Sequence, residues 1–319
     1  MNIVVTGASG FIGGHLCDAL SNTQHTVTMV SRSPRSDAEQ HSRHLVLADL
    51  EHQVDYDELL KDCEVVVHLA GRVHNLHDQG GDSKSAYTSA NTTATLELAR
   101  AAATRGVKRF IFMSSVKVNG ESTKNDEPFT PGSVPHPTDE YGKSKLDAEL
   151  GLFEISKSSD LEVVIIRPPL VYGPGVRANF LELMKLVHRR VPLPLGTVEN
   201  KRSLVGIDNL VSLIMTCLDH PAAPGQVFFV SDNLDLSTPD LIRHIARAQG
   251  LRPRLLPFPP AFLRLGAKLL HREHLYMRLC GSLQVDISSA MKLLGWKPVA
   301  IPESMLAKTM EYAGFQSHD

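Results

Sequence analysis

The stretch Thr6-Gly7-Ala8-Ser9-Gly10-Phe11-Ile12-Gly13 decides the fold of this chain. Ile3-Val4-Val5 before it is a short apolar, β-branched run of the kind that makes a buried strand. His15-Leu16-Cys17-Asp18-Ala19-Leu20 after it reads as a helix. A strand that turns through glycines into a helix gathers backbone N–H groups and the positive end of the helix dipole at one point, which suits a diphosphate. Gly7 lets the chain turn tightly, Gly10 lets the backbone approach the phosphates, and Gly13 lets the helix pack against the strand. The spacing is G-x-x-G-x-x-G, not the commoner G-x-G-x-x-G, so the placement between strand and helix carries the reading.

Outward from this turn, strand-like runs alternate with helical ones: Thr26 to Val30, Leu45 to Asp49, Val65 to Ala70, a helix around Thr92 to Ala103, Arg109 to Ser114, a helix of about Lys143 to Lys157, and Val163 to Arg167. Such alternation builds a doubly wound parallel sheet with helices on both faces, an α/β Rossmann fold. The pattern changes at Pro168-Pro169. A helix near Asn179 to Arg190 follows, with Pro-rich bends at Val191 to Pro194 and Pro253 to Pro260. Leu204-Val205 with its following helix, and Gln226 to Val230, read as returns to the first domain. The expected division is 1–168 plus about 202–235 for a dinucleotide-binding domain. About 169–201 plus 236–319 would form a smaller, discontinuous α/β substrate domain, with a cleft between the two.

With 319 residues the chain can hold one large domain or two coupled ones. A formal net charge of −2 gives no electrostatic reason to expect nucleic acid or an acidic membrane surface. No run approaches the roughly 18 apolar residues of a membrane span. No basic stretch followed by an apolar segment opens the chain, so no signal peptide is expected. Cys17, Cys63, Cys217 and Cys280 lie far apart with no C-x-x-C pair. They read as thiols in a reducing compartment rather than a metal site or disulfide framework, and a cytoplasmic location is expected.

Tyr141-Gly142-Lys143-Ser144-Lys145 opens the helix after the fifth strand. Tyr141 and Lys145, at i and i+4, share one helix face. A phenol with pKa near 10 is a poor base at neutral pH. A nearby ammonium and the positive ring of an oxidised nicotinamide favour the phenolate and lower that pKa. Ser115, at the end of the fifth strand, can hold a substrate hydroxyl or carbonyl. In an open parallel sheet that strand end and the glycine turn both lie along the carboxyl edge, where ligands bind.

On TGASGFIG at 6–13, HLAG at 68–71, SSVKVNG at 114–120, YGKSK at 141–145, RPPLVYGPG at 167–175 and RSLVGIDNL at 202–210, the chain resembles the extended short-chain dehydrogenase/reductases, in particular the nucleotide-sugar epimerase/dehydratase branch. The resemblance covers nearly the whole chain. It implies a catalytic triad of Ser115, Tyr141 and Lys145, with Tyr141 the acid/base and Lys145 also gripping the nicotinamide ribose. It implies a cofactor site of Gly7, Ser9, Gly10, Phe11, Ile12 and Gly13, with Asp49 and Leu50 beside the adenine. Leu69, Ala70, Gly71, Asn91, Ser114 and Pro168 complete that site. Lys117, Asn119, Asn179, Arg202 and Arg278 are the implied substrate contacts, the two arginines matching residues that bind a diphosphate. A homodimer through a helix pair is common in the family.

Three departures narrow the reaction. The Asp-Glu pair that dehydratases carry after the fifth strand is replaced by Val116 and Lys117, so dehydration is not expected. The second strand ends Met29-Val30-Ser31-Arg32, with Arg35 close by, where NAD-selective members place an acidic residue. A carboxylate would repel a 2′-phosphate, whereas Ser31 and Arg32 can bind one, which favours NADP(H) and leaves NAD(H) possible. Asn119 replaces the usual epimerase tyrosine, and Val73 stands at a cofactor-site lysine of some epimerases. A reductase consumes fresh reduced cofactor in each cycle, a role that suits NADPH. The SSVKVNGE and RSLVGIDNL segments look most similar to bacterial reductases of UDP-4-keto-6-deoxy-N-acetylhexosamines for surface polysaccharide. A UDP-hexose 4-epimerase is the alternative. A non-catalytic dinucleotide sensor is a third reading, against which the intact Ser115, Tyr141 and Lys145 speak.

Overall fold

The computed structural model describes residues 1–32, 42–47, 50, 54–73, 83–124 and 126–315. Its strands are β1 (Asn2–Thr6), β2 (Thr26–Ser31), β3 (Ser42–Val46), β4 (Val65–His68), β5 (Arg109–Met113), β6 (Glu162–Arg167), β7 (Leu170–Tyr172), β8 (Arg202–Gly206), β9 (Val227–Phe229) and β10 (Asp235–Leu236). Its helices begin with α1 (Phe11–Ser21), α2 (Tyr56–Leu59), α3 (Ser83–Tyr87), α4 (Ala94–Thr104), α5 (Glu140–Lys157) and α6 (Ala178–His188). They continue with α7 (Ile207–Cys217), α8 (Thr238–Ala248), α9 (Pro260–Leu269), α10 (Glu273–Cys280), α11 (Ser288–Leu294) and α12 (Pro302–Tyr312).

One sheet of seven parallel strands runs β3-β2-β1-β4-β5-β6-β9. This is the doubly wound order, and the reversal between β1 and β4 opens a crevice at the carboxyl edge. The strands read as continuous apolar runs because both faces are covered. Val4, Val66, Phe110, Phe112, Val163 and Ile165 belong to one core cluster, while Ile3, Val5, Val67, Ile111, Val164 and Ile166 belong to the other.

The second sheet, β10-β8-β7, departs from the sequence reading. β9 joins the large sheet as expected, but β8 pairs with β7 in parallel and with β10 in antiparallel. Two apolar residues, Leu204-Val205, do not specify which sheet they enter. The Pro-rich bends meet each other: Leu193 N–H donates to the Arg254 carbonyl at 2.8 Å and Leu256 N–H to the Leu193 carbonyl at 2.8 Å. The helix expected from Thr92 starts earlier, at α3, and passes through a π-helical turn at Thr88–Thr93 before α4. That turn carries Asn91, and wide turns of this kind recur at functional sites.

Candidate active site

The first glycine turn is built by contact as well as by conformation. Gly7 has φ +71°, and a Cβ there would stand 2.8 Å from the Ala70 nitrogen. A Cβ on Gly13 would lie 2.1 Å from the Gly7 carbonyl oxygen. Both positions therefore demand glycine if β1, α1 and the end of β4 are to meet. Ser9 and Gly10 are exposed at the lip, and Phe11 and Ile12 pack on the core. No acidic residue occupies the first turn of α1 and no side chain caps it, so its N–H groups suit an anion.

β4 ends in His68-Leu69-Ala70-Gly71, and His68 is buried. Its ring lies 2.7 Å from Thr6 Oγ1 through Nδ1 and 2.9 Å from Thr95 Oγ1 through Nε2. Thr6 Oγ1 accepts the Ala70 N–H at 3.2 Å, and Thr95 donates to the Asn91 carbonyl at 2.8 Å. One proton assignment closes the whole chain: Thr6 donates to Nδ1, and Nε2–H donates to Thr95. Burial, with Lys145 adding, holds the imidazole down at about 3, so it stays neutral. Asn91 accepts the Arg72 N–H at 2.7 Å and donates to the Arg72 carbonyl and Ser144 Oγ, both at 3.0 Å. It thus ties the β4 end to α5, with both amide hydrogens and one lone pair of the amide oxygen taken up by the protein. A Cβ on Gly71 would stand 3.0 Å from Asn91 Oδ1 and 3.2 Å from Lys145 Nζ, so the HLAG turn abuts the lysine.

Asp139 starts α5, its Oδ1 accepting the Gly142 N–H at 2.7 Å. Tyr141 and Lys145 follow on one face. The Ser115 hydroxyl is in hydrogen-bonding reach of the Tyr141 phenol. Burial pushes that phenol up to about 12, with Asp139 and Tyr87 adding and Ser115 opposing. Lys145 is pushed down to about 8 by burial, against which the Glu149 carboxylate works. Its ammonium donates to the Met113 carbonyl at 3.0 Å and lies 4.5 Å from the Phe112 ring centre. Ser115 also accepts the Lys117 N–H at 3.2 Å, and Val116 N–H donates to the Pro168 carbonyl at 3.0 Å. Serine, tyrosine and lysine are therefore gathered at the carboxyl edge beside the glycine turn. A protonated phenol hydrogen-bonded by serine can give a proton to a carbonyl oxygen, or take one from a hydroxyl once a cation lies beside it.

Beneath this site is a network that the sequence does not announce. Glu149, two turns beyond Tyr141, accepts from Arg167 Nε at 3.0 Å and also from Arg167 Nη2 and Ser114 Oγ. Arg167 Nη1 donates to Asn119 Oδ1 at 2.9 Å, and Asn119 Nδ2 donates to the Ser133 carbonyl at 3.3 Å. Asn119 is 2% exposed, so the expectation that it meets substrate is corrected: its amide holds Arg167. The Ser114 hydroxyl is likewise spent on Glu149. Lys117 reaches the site region, but its ammonium is held by Glu121 at 2.8 Å and by Asp139 at 2.5 Å. Tyr87, buried on α3, meets the Tyr141 ring edge-on at 6.2 Å between centres and was not singled out from the sequence.

At the end of β2, Ser31 is buried with its hydroxyl 2.8 Å from His44 Nε2 on β3, while Arg32 is exposed. His44 is a further residue that the sequence reading missed. Leu50 packs on the core, and Asp49 and Arg35 lie outside the described residues. Asn179 is exposed in the first turn of α6. Arg202 donates to the Gly281 carbonyl at 2.9 Å. Its pKa is lowered by burial and then by Arg278, with Glu121 opposing. The two arginines, distant in sequence, share one electrostatic neighbourhood that an anion would relieve.

The 206–210 part of RSLVGIDNL has structural work instead. Gly206 N–H and Asn209 Nδ2 both donate to Asp232 Oδ1 at 2.7 Å, and Tyr172 OH donates to its Oδ2 at 2.7 Å.

Comparison with known proteins gives consistent findings. The chain is 44% identical over 299 residues to a UDP-glucose 4-epimerase of Vibrio cholerae, covering 93% of this chain and 90% of that one. It is 32% identical to a UDP-glucose 4-epimerase of Mycolicibacterium smegmatis, covering 98% of each. Among solved structures, UDP-glucuronic acid 4-epimerase from Bacillus cereus in complex with NAD superimposes with a TM-score of 0.80 at 24% identity, over 98% of this chain and 99% of that one. The profile described as the NAD dependent epimerase/dehydratase family matches residues 3–230. The chain belongs to the NAD-dependent epimerase/dehydratase family.

Proposed function

We propose that this enzyme reduces the C4 ketone of a UDP-4-keto-6-deoxy-N-acetylhexosamine, with NADPH as the preferred hydride source. The nicotinamide, when bound, supplies or accepts the hydride. Everything else falls to the chain. The α1 turn holds the diphosphate, and Ser115 hydrogen-bonds the oxygen at C4. Tyr141 delivers the proton to that oxygen, and Lys145 holds the ribose and sustains the positive field that the tyrosinate needs. The Arg202–Arg278 pair takes the diphosphate of the sugar nucleotide.

The observation that carries the choice of a reductase is the end of β2. It offers Ser31, His44 and Arg32, and the strand end itself carries no carboxylate among the described residues to repel a 2′-phosphate. A second reading, UDP-hexose 4-epimerisation, draws on the 44% identical relative. The two part on cofactor economy: a reductase consumes one NADPH per product, whereas an epimerase returns the hydride and consumes none. The test is to incubate purified protein with NADPH and UDP-4-keto-6-deoxy-N-acetylglucosamine, following nicotinamide absorbance and product. Stoichiometric oxidation supports reduction. No oxidation, together with interconversion of UDP-glucose and UDP-galactose by protein that retains NAD through dialysis, hands the assignment to epimerisation.

A further inference from the structure

Helix α9 turns its apolar side outward. It has no fully buried residue; Leu263 packs against the core. Phe262, Leu265 and Leu269 are 61%, 54% and 71% exposed. Their i, i+3, i+7 spacing puts them in one stripe on the side away from Leu263. Leu270, 71% exposed, follows directly at the end of the helix. An apolar surface this contiguous marks an interaction site.

The charge of the same segment indicates the partner. Residues 251–280 hold six lysines and arginines against one carboxylate, Glu273, in a chain whose net charge is −2. Arg264 and Lys268, at i and i+4, line one flank of the stripe, and both are exposed. No carboxylate among the described residues makes an ion pair with Arg264, Lys268 or Arg272. We infer that α9 and α10 seat the protein on an anionic phospholipid bilayer, the apolar stripe entering the headgroup–acyl boundary and the cations meeting the lipid phosphates. Screening limits an exposed charge to about 10 Å, so a surface feels this cluster rather than the net charge. A second copy is a poorer occupant. A two-fold interface would set the uncompensated cations of one copy near those of the other. Because α10 also carries Arg278, the docked face adjoins the arginine pair of the candidate substrate site.

The test is co-sedimentation of the full chain with phosphatidylcholine vesicles, with and without phosphatidylglycerol. Binding is expected only with phosphatidylglycerol and should fall as salt rises. Arg264→Ala with Lys268→Ala should weaken it about 25-fold, roughly fivefold per cation removed. Phe262→Gln with Leu269→Gln should abolish it. Both double variants should keep the wild-type melting temperature and the wild-type turnover of soluble substrate. Equal binding to neutral and anionic vesicles, no binding to either, or unchanged binding by the two variants overturns the proposal. So does light scattering that finds a wild-type dimer split by Phe262→Gln with Leu269→Gln. Turnover does not enter the vesicle readout, so failure here is separate from failure of the functional reading.

Discussion

Glu149→Gln should test the buried network under the catalytic residues. Glu149 is 2% exposed and Arg167 4%, so the substitution leaves a guanidinium in the core without its counter-charge. Asn119 Oδ1 still accepts one of its hydrogens at 2.9 Å, but no carboxylate remains within the network. Removing one partner of a buried pair costs about 3–5 kcal/mol. With an unfolding entropy of about 2.1 cal/mol/K per residue, that loss lowers Tm by roughly 5–7 °C in a chain of this size. The assay is thermal unfolding beside the Glu149→Leu/Arg167→Leu double variant. With no charge stranded, the double variant should recover at least half of the loss. Glu149 also raises the pKa of Lys145, so Glu149→Gln should move the Lys145 titration further below about 8. A Glu149→Gln protein that melts with the wild type, or a double variant worse than the single, refutes the network as described.

Tyr141→Phe should lower kcat about 10²–10⁴-fold with the fold intact, measured where chemistry limits turnover. Arg32→Ala should weaken NADPH binding by about 1.5–3 kcal/mol with little effect on NADH, and Ser31→Asp should shift preference toward NADH; titration of both cofactors reads this. The buried Cys63 and Cys217 thiols, pushed up to about 12, work against stability above pH 9, so the Lys145 contribution is read as the difference between wild type and Lys145→Met. That contribution to the stability of the cofactor-free protein should rise between pH 8 and 10. There the unfolded chain keeps a Lys145 proton that the native state has released, worth about 3 kcal/mol over the full window to 10.5. Above pH 10 the sign reverses for Tyr141, because the native phenol stays protonated up to about 12. In urea unfolding, Lys145→Met should lose the Lys145 share of the rise, and Tyr141→Phe should fall less steeply than wild type, with Tyr172, Cys63 and Cys217 keeping the rest.

What could be read from the sequence was local. Ile3-Val4-Val5 before three spaced glycines encodes a strand, a turn and a helix in contiguous residues, and Tyr141 with Lys145 encodes a shared helix face by spacing alone. What escaped depends on residues far apart. Glu149 meets Arg167 and Ser114 only after β5, α5 and β6 have packed, and nothing in Asn119 itself says that its amide will face inward to Arg167. The start of α3 was missed because Ser83 to Thr93 is a polar run without helical apolar periodicity, further broken by a π turn. Net charge concealed the basic segment 251–280, since a whole-chain sum averages over the patch that a surface would meet.

The most direct measurement follows deuterium from the cofactor. NADPH carrying deuterium at the transferable position of its nicotinamide is given to the enzyme with the UDP-4-keto-6-deoxy sugar, and the product is examined by NMR and mass spectrometry. One deuterium at C4 per product formed, and none from Tyr141→Phe over the same interval, is the expected result. Product without deuterium at C4, or undiminished transfer by Tyr141→Phe, contradicts the account.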